Sequence, residues 1–141
     1  MNDSIKSEIR GLRENCNVAY IASVNEVGYP QIKCMLVLEH NSMQVHWFST
    51  NTSSKRVKQF LENPKASVYY CDEVQYKGAL FTGMMEVCTD HETKAFLWRD
   101  GFEMYYPKGV DDEDYCVLKF TADTVNYYHG LSNITLSIKE L

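Results

Sequence analysis

A mainly β, antiparallel barrel or sandwich with two or three short helices at its margins is the fold class this sequence predicts. Three observations carry that expectation. Six or seven short runs rich in Val, Ile, Tyr and Phe are separated by turn signals. No long helical pattern lies between successive runs, as a parallel sheet would require. The 141 residues, 45% of them apolar, suffice for one hydrophobic core without metals or disulfides, so residues 1–141 are read as one domain.

The elements follow in order. Ile5, Ile9, Leu12 and Cys16 recur at helical spacing, with Asn2 or Asp3 as the cap. "VAYIASV" (18–24) is a β-rich run that ends in the turn signal "NEVGYP". "QIKCMLVLEH" (31–40) is a second strand, and Asn41 and Ser42 turn it into "MQVHWFST" (43–50), which together predicts an antiparallel meander. A helix over about 53–63 comes next. Val57, Phe60 and Leu61 share one face, Thr52 or Ser53 caps it, and Pro64 stops it. Residues 65–73 and 77–89 form a hairpin whose second strand carries Gly78 and Gly83, a sign of a bulge, a barrel corner or a ligand close to the backbone. Asp90 caps a short helix within "HETKAFLWRD", and "GFEMYYPKGVDDED" is an irregular connection. Strands over 115–122 and 124–130 close the fold, with "NITLSI" (133–138) as one more.

Bulk properties exclude several functions. A net charge of -5 argues against a broad basic surface for nucleic acid. No apolar run approaches the ~20 residues that span a bilayer, and "MNDSIKSEIR" lacks the apolar core of a signal peptide. Five scattered cysteines without a CxxC pair support neither a zinc site nor a disulfide framework, and they suit a reducing cytoplasm. His40, His46, His91 and His129 have no metal spacing, and "DDED" (111–114) lacks the calcium-loop pattern. No GxSxG elbow marks a serine hydrolase. Three Tyr-Tyr pairs place one ring of each in the core, leaving Tyr128, or Trp98, as a candidate cleft lining.

The informative stretch is "STNTSSKRVKQF". A helix N-terminus is the positive end of the macrodipole, yet this one opens on Lys55 and Arg56. With the hydroxyls of Thr50, Thr52, Ser53 and Ser54 and the free N–H groups of a first turn, these cations make a small positive bowl suited to a phosphate. Lys33, in the middle of an otherwise apolar strand, is a third cation within reach. The competing reading is a solvated helix face with redundant caps.

In order and spacing these segments resemble the pyridoxamine 5'-phosphate oxidase-like FMN-binding split barrels. The run is "GYP", a strand with a mid-strand cation, a strand ending in "FSTN", then "TSSKR" and a helix ending in "NP". With "LFTGMMEVCTD" and "LWRDGFEMYYPKGVDDEDYCVLKF", the chain is similar to the general stress protein 26-like branch over about residues 10 to 128. The resemblance implies a six- or seven-stranded split barrel that forms a homodimer, with FMN in clefts at the interface. By position it implies that Lys33, Ser54, Lys55 and Arg56 hold the FMN phosphate. It further implies that the backbone at Cys34, Met35 and Leu36 runs along the flavin ring and that Ser49 and Thr50 border it. The expected function is FMN-dependent redox chemistry on a small molecule. The alternatives are a flavin-binding stress or sensor module without turnover, or a barrel that binds haem or a deazaflavin. Two departures stand out. Leu38 occupies a place that is basic in many relatives, and no arginine follows Arg99, which argues against pyridoxamine phosphate oxidation itself.

Overall fold

The computed structural model describes residues 2–141. The chain runs through α1 (Asn2–Asn15), β1 (Val18–Val24), β2 (Pro30–Leu36), β3 (Val45–Asn51), α2 (Lys55–Glu62), β4 (Lys65–Asp72), β5 (Lys77–Cys88), α3 (His91–Leu97), β6 (Tyr115–His129) and β7 (Ser132–Ser137). All seven strands lie in one antiparallel sheet, ordered β2-β1-β4-β5-β6-β3, with β7 added to β6. The sheet does not close, because β2 and β3 each pair on one side only. The result is a mainly β split barrel flanked by helices.

Two expectations about strand pairing are corrected. The second strand ends at Leu36, and β3 pairs with β6 instead of forming a meander with β2. The cause lies in α1. The buried Arg13 guanidinium donates to the carbonyls of Glu39, Ser42 and Val45, and the Val37 N–H donates to the Asn17 carbonyl. A cation buried without a carboxylate needs such carbonyls to offset its lost hydration. These bonds hold residues 37–44 against the N-terminal helix and carry β3 across the barrel.

The last long segment is also one strand. β6 pairs with β5 along nearly its whole length, with β3 through Tyr115–Thr121 and with β7 through Thr124–His129. The register slips where Thr82 pairs with Thr124 and Gly83 with Ala122, so the extra residue, Asp123, bulges from β6 opposite the glycine-bearing strand β5.

Apolar residues alternate inward along the strands. Ile21, Phe48, Val68, Phe81 and Phe120 meet Ile9 of α1 and Phe60 of α2 in the main core. A second cluster of Leu97, Tyr106, Tyr115 and Val117, with Trp47, Trp98 and Phe102 against it, fills the other side of β3 and β6. The Tyr-Tyr pairs divide as expected: Tyr70, Tyr106 and Tyr127 are buried while their neighbours are not.

His46 is a core histidine. Its Nε2 lies 2.9 Å from the Met43 carbonyl, which only accepts, so Nε2 carries the proton and Nδ1 accepts from the Tyr70 hydroxyl at 2.6 Å. Burial, and then the nearby Arg13 charge, push its pKa down to about 3. The unfolded chain takes up this proton near pH 6.5 and the folded chain does not. Stability is therefore fully present above that pH and falls below it by about 1.4 kcal/mol per unit. Urea unfolding should show a loss of about 2 kcal/mol between pH 7 and 5, above most of the carboxylate titration. His46→Gln should be less stable at pH 7 but lack that slope.

Candidate functional site

The opening between β2 and β3 collects the residues of interest. α2 begins where β3 ends, and its N-cap is Ser54, not Thr52 or Ser53. Ser54 Oγ accepts from the Val57 N–H at 3.3 Å and its own proton remains available to a ligand. No acidic residue sits in the first turn. Asp114 accepts from the backbone N–H groups of Thr52 and Ser53, which fixes the approach to the helix. The N–H groups of Lys55 and Arg56 have no carbonyl behind them.

Lys33, Lys55 and Arg56 line one cavity of about 140 Å³, together with Ser23, Gln31, Ile32 and Gln59. Lys33 reaches it although β2 and β3 do not pair, because β2 lies beside β1 and α2 packs over β1. Lys33 and Lys55 are exposed. Arg56 is half-buried, and its Nη2 donates to Thr50 Oγ1 at 3.0 Å while its Nε has no partner. Burial lowers the Arg56 pKa, offset in part by Cys116 and Tyr106. Thr52 Oγ1 and Ser49 Oγ are also buried without completed hydrogen bonds. Within the cavity itself, the unpartnered Arg56 Nε beside two exposed lysines matches the chemistry of an oxyanion ligand.

The remaining expected residues divide by strand face. Cys34 is exposed and registers with Tyr20 on the face of β2 opposite Lys33. Met35 is buried in the core, so only its backbone faces the opening. Ser49 and Thr50 point to opposite sides of β3. Thr50 faces Arg56, and Ser49, with Leu36, lines a second pocket of about 150 Å³ with Leu38, Phe102, Tyr105 and Tyr106. The outer edge of β2, unpaired by any strand, leaves backbone N–H and C=O groups for a bound ring. Sequence reasoning missed the aromatic wall. Its signal was the density of aromatic side chains in "GFEMYYP", unusual for a surface connection. Tyr128 hydrogen-bonds Tyr69, and Trp98 packs on Tyr115; neither lines either pocket.

The five cysteines are free, and no group of His, Cys, Asp or Glu suited to a metal ion occurs among the described residues. Asp112 of the acidic loop accepts from the Lys108 and Asp114 N–H groups and organises a turn. Among the described residues no helix is long and apolar enough to cross a membrane.

Comparison with known proteins agrees with this architecture. A solved protein from Clostridium acetobutylicum, related to general stress protein 26 of B. subtilis and described as of the pyridoxinephosphate oxidase family, is 38% identical. The two chains cover 99% of each other with a TM-score of 0.89. General Stress Protein 26 from Bacillus anthracis str. Sterne superposes with a TM-score of 0.73 at 18% identity, over 94% of this chain and 98% of its own. A heme binding protein from Mycobacterium smegmatis shares the fold at 16% identity and a TM-score of 0.75, over 94% of this chain and 57% of its own. No curated protein sequence matches. The profile described as Pyridoxamine 5'-phosphate oxidase matches residues 5–129, and with it the chain belongs to the pyridoxamine 5'-phosphate oxidase family, among the relatives of general stress protein 26.

Proposed function

We propose that residues 1–141 form one FMN-binding domain that acts in the cytoplasm, as a homodimer, in redox chemistry on a small molecule. The observation that carries this reading is the convergence of Lys33, Lys55 and Arg56 on one cavity at the start of α2. In it Lys33 and Lys55 neutralise the phosphate dianion, and Arg56 and the Ser54 hydroxyl donate to its oxygens. The β2 edge from Cys34 to Leu36 supplies backbone groups to the ring, while Ser49 and Thr50 border it. Bound FMN supplies the electron transfer itself. No side chain is assigned as acid or base.

An apolar outer face supports the dimer. Tyr20, Ile32 and Leu80 line a cavity of about 460 Å³ on the side of the sheet away from the core, and Ile32 is 74% exposed. Such a continuous apolar face is a feature of association surfaces. For the haem alternative, both His46 nitrogens are engaged in the core, His40 Nε2 contacts the Cys16 carbonyl and His91 binds Asp111, which leaves the exposed His129 at the end of β6 as the remaining histidine.

The experiment is spectroscopic. Purified protein, or protein after added FMN, should show the two visible bands of oxidised flavin. A colourless preparation that takes up no FMN, or a Soret band, overturns the assignment. Anaerobic bleaching by NADH or NADPH and recovery with an acceptor would mark an enzyme; stable colour under that treatment would mark a flavin module without turnover.

A further inference from the structure

The second pocket has a definite chemistry. Leu36, Leu38, Phe102, Tyr105 and Tyr106 line it, and Ser49 enters from β3. No carboxylate, ammonium or guanidinium lines it. A hydrophobic cavity of about 150 Å³ admits one benzene ring. The inner wall is braced, because Tyr106 packs on Tyr115 with ring centroids 5.0 Å apart and Phe102 packs edge-on against Trp98 at 5.5 Å. Tyr105, 72% exposed, forms the outer lip. Ser49 Oγ adjoins the Tyr115 hydroxyl, which donates to the Lys94 carbonyl at 2.8 Å and has only its lone pairs left to offer. Ser49 Oγ is a buried polar atom with no completed hydrogen bond in an uncharged pocket. Leu36 lies three residues along β2 from Lys33, about 10 Å at the rise of a strand.

We propose that this pocket binds a neutral, flat aromatic ring of the small molecule handled by the protein, beside the flavin. Phe102 and Tyr105 determine the selectivity for a flat ring, and Ser49 donates to an acceptor atom on its substituent. The proposal rests on the reading of the cation cavity as the FMN phosphate site. Neutrality follows from the lining, since an ionised ring would lose its hydration with no partner to replace it. Flatness follows from the three aromatic rings in the lining, which offer stacking contact.

The test uses FMN-loaded protein and three probes: acetophenone, cyclohexyl methyl ketone and benzoate. Binding is read from the backbone amide NMR shifts of Ser49, Phe102 and Tyr105. Acetophenone should saturate shifts at these amides, and the puckered ketone and the anion should bind about tenfold more weakly or worse. Phe102→Ala and Tyr105→Ala should each weaken acetophenone by about tenfold and leave FMN affinity unchanged. Tyr105 is exposed, so its replacement keeps the core intact if Phe102→Ala does not fold. Acetophenone shifts that are absent, or that lie elsewhere, overturn the proposal. It is equally overturned if the two variants lose FMN while retaining acetophenone, because the pocket then holds the flavin ring. A protein that takes up no FMN yet shows the acetophenone shifts overturns the flavin reading alone and supports the ring pocket.

Discussion

Replacing both Lys55 and Arg56 by alanine should weaken FMN binding about a hundredfold and leave riboflavin binding unchanged. Charge-assisted hydrogen bonds contribute about 1.5–3 kcal/mol each. Lys55 is solvent-exposed and belongs at the low end, whereas Arg56 is half-buried and already oriented by Thr50. A combined loss of about 3 kcal/mol corresponds to roughly two decades in Kd. Riboflavin lacks the phosphate, so its affinity isolates the ring contacts from the anion site. The same substitution at Lys55 alone should stabilise the unliganded chain by about 0.3–1 kcal/mol, because it removes a cation from the positive end of α2. Fluorescence titration with the two flavins and a thermal melt of the apo protein measure both effects. Equal FMN affinity in wild type and double variant would remove the phosphate assignment.

Gly83→Ala should destabilise the protein by about 3 kcal/mol or more, a drop in Tm on the order of 10 °C. A methyl group there would lie 2.0 Å from the Thr121 carbonyl oxygen and 2.9 Å from Ala122 Cα. Both are backbone atoms of β6, held by pairing on both edges, so neither has room to retreat. Gly78→Ala is the informative contrast. Its methyl would meet the Tyr69 hydroxyl and a Tyr128 ring carbon at 2.7 Å, and these are ends of side chains on a partly exposed face. Its cost should be smaller, at about 1–2 kcal/mol. Similar melts for the two variants would show that the bulge tolerates movement of β6.

The strands were readable because their apolar residues alternate and their turns are punctuated by Gly, Pro, Asn and Asp. The positive start of α2 was readable because Lys55 and Arg56 stand where local electrostatics disfavours them. The partner of β3 was not. Adjacent strands usually pair, and nothing local in residues 37–44 tells that Arg13, far back in the chain, has captured their carbonyls. The N-cap was misplaced by one or two residues because several hydroxyls in a row compete for the same role; only the bond to the Val57 N–H distinguishes Ser54. The aromatic pocket was missed for a related reason. Phe102, Tyr105 and Tyr106 belong to an irregular connection with no periodicity to read, and their meeting with Leu36 and Ser49 exists only in three dimensions.

Arg13 has a consequence for how this protein can be altered. On the proposed reading, the gap between β2 and β3 is braced from α1, a helix that lines neither the cation cavity nor the aromatic pocket. Trimming the first fifteen residues would leave the carbonyls of Glu39, Ser42 and Val45 without their shared donor, and the two rims of the gap would drift independently. The amino-terminal helix is in this sense the spacer of the cleft, and ligand affinity should report on its integrity as sensitively as any substitution within the cleft itself.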